Sequence, residues 1–144
     1  MTVRCSRPEM AVVLAALPDE GLVFVTDGET GDEWPQVLAE LTEAFELARE
    51  AVRAGQPMVF VVDNDDLLGR NGPGRAMVAT GLLSAARTAA LEQIKSGVAC
   101  NVIAVDDGVD LAVLANWCLR VTEPGGPTGQ LVHLGNSHLG KTLA

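Results

Sequence analysis

Hydrophobic and polar positions come in blocks along this chain. Leu22-Val23-Phe24-Val25, Met58-Val59-Phe60-Val61-Val62 and Val98 to Val105 are apolar on both alternating faces, Asn101 excepted. A strand with two apolar faces belongs inside a parallel sheet covered by helices on both sides. Between these runs the period changes from two to that of a helix. Leu38, Leu41, Phe45, Ala48 and Val52 mark a helix from Trp34 to about Ala54, with Pro35 in its first turn and Gly55 as its stop. Glu40, Glu43, Glu46, Arg49, Glu50 and Arg53 fall on its other face, which reads as solvated. Val78, Leu82, Ala86 and Ala89 mark a second long helix, Arg75 to Lys95, rich in small residues and stopped by Gly97.

Shorter elements complete the order. Residues 2–5 are extended, and Pro8-Glu9 opens a helix to about Leu17, ended by Pro18. Thr26 to Glu33 and Asp63 to Pro73 are loops. A helix from about Val109 to Cys118 carries Leu111, Leu114 and Trp117 as core positions, and Leu131-Val132-His133-Leu134 is a last strand after a Pro/Gly loop, Glu123 to Gly129. Alternating strands and helices predict an α/β fold: a truncated Rossmann-like parallel sheet of 4 or 5 strands with helices on both faces, in one domain over residues 1–144.

Composition narrows the function. The chain is 48% hydrophobic but only 3% aromatic, so its core is aliphatic. A formal charge of -9 argues against nucleic acid and anionic membranes as partners, since phosphates call for Lys and Arg. No apolar run reaches the length of a membrane span, and MTVRCSRPEM lacks the apolar core of a signal peptide. The 3 cysteines, Cys5, Cys100 and Cys118, are widely spaced, which fits a reduced, cytoplasmic protein.

Several motifs resemble known sites and are outweighed by plainer readings. Gly135 to Thr142 matches the phosphate-loop pattern GxxxxGK[ST], but only two residues remain for the helix that must follow, so it reads as a tail. Gly72-Pro73-Gly74 resembles a dinucleotide turn, but Met77 stands at the third Gly position and the stretch reads as a loop before a helix. Asp63-Asn64-Asp65-Asp66 resembles the start of a calcium loop without its later Gly and Glu, and reads as a solvated acidic loop. No metal site is expected: His133 and His138 have no acidic or Cys partner at ligand spacing. Cys118 reads as buried packing, and Asn101 as a structural hydrogen bonder.

Short segments, taken in order, resemble the short-chain dehydrogenase/reductase family, especially its ketoreductases. These are Ala90-Leu91-Glu92, Ser96-Gly97-Val98 and Asn101-Val102, then Thr128-Gly129-Gln130 before the last strand, with Trp34 to Phe45 similar to the family's fourth helix. The resemblance implies a second half of that fold. The family's Gly-rich cofactor turn has no counterpart here. Its catalytic Ser falls at about Asp63 or Asn64, its Tyr and Lys on Arg75 and Ala79, and its helix-four Asn near Glu40. The chain has no Tyr, and an Arg cannot act as a general acid near neutral pH. The resemblance therefore implies no catalytic residue and no cofactor bound by this chain alone, with NADP(H) left to a catalytic partner.

Two readings of function follow. In the first, the chain is a non-catalytic subunit. It assembles as a homo-oligomer, or as a hetero-oligomer with a full-length ketoreductase or dehydrogenase, to stabilise or position the partner's active site. The two long helices are the assembly surface, with Leu38, Leu41, Phe45, Ala79, Leu83, Ala86 and Ala90 as interface residues. In the alternative, the chain is a small oxidoreductase or ligand-binding protein with a rewired site around Asp27, Asp63, Asn64 and Arg75. Truncation also implies that Leu22 to Val25 lies at a bare apolar edge, covered either by residues 2–5 or by another chain.

Overall fold

The computed structural model describes residues 1–136. Five strands form one sheet in chain order: β1 (Thr2–Arg4), β2 (Leu22–Val25), β3 (Met58–Asp63), β4 (Cys100–Val105) and β5 (Leu131–Leu134), every neighbouring pair parallel. Between them run α1 (Pro8–Leu14), α2 (Trp34–Arg53), α3 (Asn64–Leu67), α4 (Pro73–Gln93) and α5 (Leu111–Arg120). This is the expected α/β parallel sheet. Among the described residues no helix is long and apolar enough to cross a membrane.

Strand alternation sorts the core into two layers. Leu22, Phe24, Met58, Phe60, Val62, Cys100, Val102 and Ala104 pack against α2 and α4. Val23, Val25, Val59, Val61, Ile103 and Val105 pack against Met10, Leu14, Leu114 and Cys118 on the other face. Residues 2–4 cover the apolar edge of β2, with Thr2 opposite Leu22 and Arg4 opposite Phe24. Asn101, the lone polar residue of β4, donates to Val121 O and Pro127 O at 2.7 Å and accepts from Gln130 N at 3.0 Å. It ties the chain after α5 to the start of β5.

Three expectations need correction. The run Asp63-Asn64-Asp65-Asp66 is not a solvated loop: Asp63 ends β3, the next residues form a single helical turn, α3, too short for any periodicity to show, and Asp63, Asn64 and Asp66 are buried by the ion pairs and packing around them. Glu40 is 4% exposed and not solvated: α2 is rotated so that Val37, Glu40, Ala44 and Ala51 face the sheet. That same rotation leaves Leu38 46% and Phe45 62% exposed. Trp117 is only half-buried, with the Arg120 guanidinium 5.4 Å from its ring centre.

Candidate functional site

Two features stand out, a polar crevice at the carboxyl ends of the strands and an apolar groove between the long helices. The crevice encloses about 1090 Å³ and opens over β3, β4 and β5, where ligands sit in parallel sheets. At its centre is Asp63, the last residue of β3. Arg7, just before α1, grips this carboxylate with two bonds: Nη1 to Oδ1 at 3.0 Å and Nη2 to Oδ2 at 2.7 Å. Arg75, in the first turn of α4, adds Nη2 to Oδ2 at 3.1 Å. Its Nε lies 2.9 Å from Oδ1 of Asp66 on α3, and Asn71 Nδ2 donates to that same oxygen at 2.7 Å. Burial opposes the charge on Arg7, but its hydrogen bond to Asp63 and the nearby negative charges outweigh this, and its pKa is raised. Burial raises the Asp66 pKa, against the lowering effects of Asn71 and Arg75.

A second polar cluster braces the loop after β2. The buried Glu40 carboxylate accepts from the Asp27 amide at 2.6 Å and from the Thr30 hydroxyl. Arg4 donates to Val25 O at 2.8 Å and to Glu43 at 3.0 Å, and its guanidinium lies 4.5 Å from the Phe24 ring centre.

Of the four residues in the alternative site, only Asp63 and Arg75 meet. Asp27 accepts from Ser6 Oγ at 3.5 Å and from Glu29 N at 3.0 Å, and bonds to none of the other three. Asn64 is 1% exposed and does not line the crevice. The key partners that sequence reasoning missed are Arg4, Arg7 and Asp66. Arginines in and just after a short edge strand are a signal for the first two, while the acidic run that contains Asp66 reads as solvated and does not mark it as Arg75's partner. Among the described residues no group of three His, Cys, Asp or Glu could hold a metal ion. The tail motif lies, except for Gly135 and Asn136, outside the described residues, as does His138.

Gly72-Pro73-Gly74 opens α4 as expected, and its glycines have a local cause. The Gly74 amide donates to Asp32 Oδ1 at 2.9 Å, so a carboxylate of this chain already sits at the positive end of α4.

The groove encloses about 470 Å³ between α2 and α4, walled by Leu41, Phe45, Ala48, Val52, Gly81 and Ala85. Gly81 lets the helices approach: a Cβ there lies 3.3 Å from Leu41 Cδ2. Among the described residues, six of the nine exposed large apolar side chains lie on these two helices or the α4 cap: Trp34, Leu38, Phe45, Met77, Leu91 and Ile94. The interface residues expected from the sequence divide accordingly. Leu38 and Phe45 are exposed, and Leu41 and Leu83 are half-buried. Ala79, Ala86 and Ala90 are 0%, 1% and 4% exposed, because their face of α4 packs on the sheet, so they are core residues. Gly81, Ser84, Ala85 and Thr88 take their place along the groove.

No family model and no curated protein matches this chain. Solved structures with a similar fold include the following three. The 3-hydroxyacyl-CoA dehydrogenase type-2 from Mycobacterium avium is 12% identical at TM-score 0.65, over 80% of this chain and 65% of that one. An oxidoreductase of the short-chain dehydrogenase/reductase family from Burkholderia thailandensis is 15% identical at TM-score 0.63, over 88% and 67%. A putative short-chain dehydrogenase/reductase from Burkholderia xenovorans is 16% identical at TM-score 0.60, over 88% and 68%. The chain thus has a short-chain-dehydrogenase-like fold and spans about two thirds of the length of these proteins.

Proposed function

We propose that this chain is a non-catalytic subunit with a short-chain-dehydrogenase-like fold, acting by assembly. Its α2/α4 face packs against a full-length reductase of the same fold or against another copy, and holds the partner's active-site elements in place. The exposed apolar groove carries this reading. Exposed large apolar side chains gathered on one face, and not scattered singly, are what an interaction site presents. Here the exposed Trp34, Leu38, Phe45 and Met77 sit on the two helices that form the groove. The positions that resemble the family's reacting groups support the same reading. Asp63 and Arg75 are committed to each other, and Ala79 carries no proton. NADP(H), in this proposal, is held by the catalytic partner. The free cysteines suit the cytoplasm.

The test is co-expression with full-length reductases. A stable complex, with a reductase gaining solubility or activity, is the expected result. No complex and no gain with any reductase contradicts the proposal. The crevice supports a second reading, a small-ligand or oxidoreductase site around Asp63 and Arg75. Calorimetric titration of the isolated chain with NADPH separates the two: binding tighter than about 10 μM favours the second.

A further inference from the structure

We infer that the crevice is closed to nucleotide phosphates, because carboxylates of this chain already hold the places at which an anion would bind. A nicotinamide dinucleotide is the cofactor that the resemblance implies, and its pyrophosphate is doubly negative. Such a group needs open donors, either guanidinium forks or the free amides of a helix start. The groups around this crevice do not fit it.

The guanidinium donors are taken by Asp63. This buried carboxylate sits between two arginines and accepts from Arg7 Nη1 and Nη2 at 3.0 and 2.7 Å and from Arg75 Nη2 at 3.1 Å. Arg75 also turns Nε to within 2.9 Å of Asp66 Oδ1. The helix starts are closed as well. Asp32 accepts from the Gly74 amide in the first turn of α4. Asp110 Oδ1 accepts from the Ala112 and Val113 amides of α5 at 2.9 and 3.3 Å. The third helix, α1, is only 7 residues long and begins with Pro8, which has no amide hydrogen to donate. Asp106, Asp107 and Asp110 line the crevice, so an arriving phosphate meets like charge.

Asp63 is thus a built-in anion. With it in place Arg7 and Arg75 brace the fold, and without it they form an open anion site. The meaning of this closure rests on the assembly reading: a subunit so closed leaves NADPH to its catalytic partner.

Calorimetric titration with inorganic pyrophosphate and with NADPH tests this. The wild-type chain is expected to bind each more weakly than about 1 mM. Asp63→Ala is expected to bind pyrophosphate at least about tenfold more tightly than the wild type, and Asp63→Ala/Arg7→Gln to lose that gain. A wild-type Kd below about 1 mM for either anion overturns the inference. So does a folded Asp63→Ala that binds no more tightly than wild type, or a gain that survives Arg7→Gln. Refolding of Asp63→Ala with pyrophosphate, against sodium chloride at equal ionic strength, covers a variant too unstable to titrate. Pyrophosphate is expected to raise the folded fraction, and equal fractions overturn the inference. A wild-type chain that binds both NADPH and a full-length reductase sinks this inference alone. One that refuses NADPH and every reductase sinks the assembly proposal alone.

Discussion

Asp32, in the loop before α2, and Gly74, in the first turn of α4, are joined by a hydrogen bond of 2.9 Å from the Gly74 amide to the Asp32 carboxylate. The contact satisfies one of the donors that every helix start leaves open and puts negative charge at the positive end of the helix. Glycine makes it possible. Gly72 has φ 92°, and a Cβ on Gly74 lies 2.9 Å from Asp32 Cα and collides with the Gly31 carbonyl. The loop after β2 and the start of α4 are thus locked together beside the crevice.

Gly74→Ala is therefore expected to lower unfolding stability by about 2–3 kcal/mol, as overpacking against backbone does. Asp32→Ala removes a cap and is expected to cost about 1 kcal/mol. Urea unfolding measures both. Wild-type stability in Gly74→Ala contradicts the close approach.

Asp63 ties the segment before α1 to the start of α4 through Arg7 and Arg75. The three side chains are 12%, 29% and 21% exposed, so solvent screens them only partly. Asp63→Asn leaves two guanidinium groups without their carboxylate and is expected to cost about 2–4 kcal/mol. A double-mutant cycle with Arg7→Gln isolates the pair, and a coupling energy of zero shows that the bridge does not hold the segment.

Asp66 gives a pH signature of unusual sign. Burial first, with Asp63's charge adding, raises its pKa above the ordinary 3.8 despite Asn71 and Arg75. The folded state thus holds this proton more tightly than the unfolded chain. The stability it contributes is present at pH below 3.8 and is lost as pH rises through the raised value. In Asp66→Asn that loss is absent. The stability of this variant relative to wild type is expected to climb as pH increases from about 4 to 7. A relative stability that falls over that range contradicts the burial.

The thiols separate by depth. Burial pushes Cys118 up to about 12 and Cys100 to about 11, whereas Cys5 is half-exposed. Only the thiolate reacts, so a maleimide at pH 7 is expected to label Cys5 alone in the folded protein and all three thiols in denaturant. Rapid labelling of Cys118 without denaturant contradicts the packing of α5.

What was legible in the sequence follows from what local pattern encodes. β2, β3 and β4 are apolar on both faces, and that alone placed them inside a parallel sheet with helices on both sides. Asn101 stood out because a lone polar side chain in such a strand must find partners, and it has three. The rotation of α2 was not legible. The stripe Leu38, Leu41, Phe45 competes with the stripe Val37, Glu40, Ala44, and only tertiary contacts decide between them. Glu40 wins burial because the Asp27 amide and the Thr30 hydroxyl need an acceptor there. The crevice was visible only in part, since Arg7 meets Asp63 across 56 residues of sequence. No short-range spacing records such a contact.

The central claim is that the exposed α2/α4 face exists to be covered. Backbone hydrogen exchange cannot report this directly, because helix amides are protected with or without a partner. Solvent accessibility of a single side chain can. Phe45→Cys, in a Cys5→Ser background, puts a thiol at the most exposed aromatic position of that face. In the assembled particle, alone or with its reductase, this thiol is expected to react at least about tenfold more slowly than in urea below the unfolding transition, where assembly is lost. Equal rates under both conditions, for the chain alone and with every reductase tested, contradict the account.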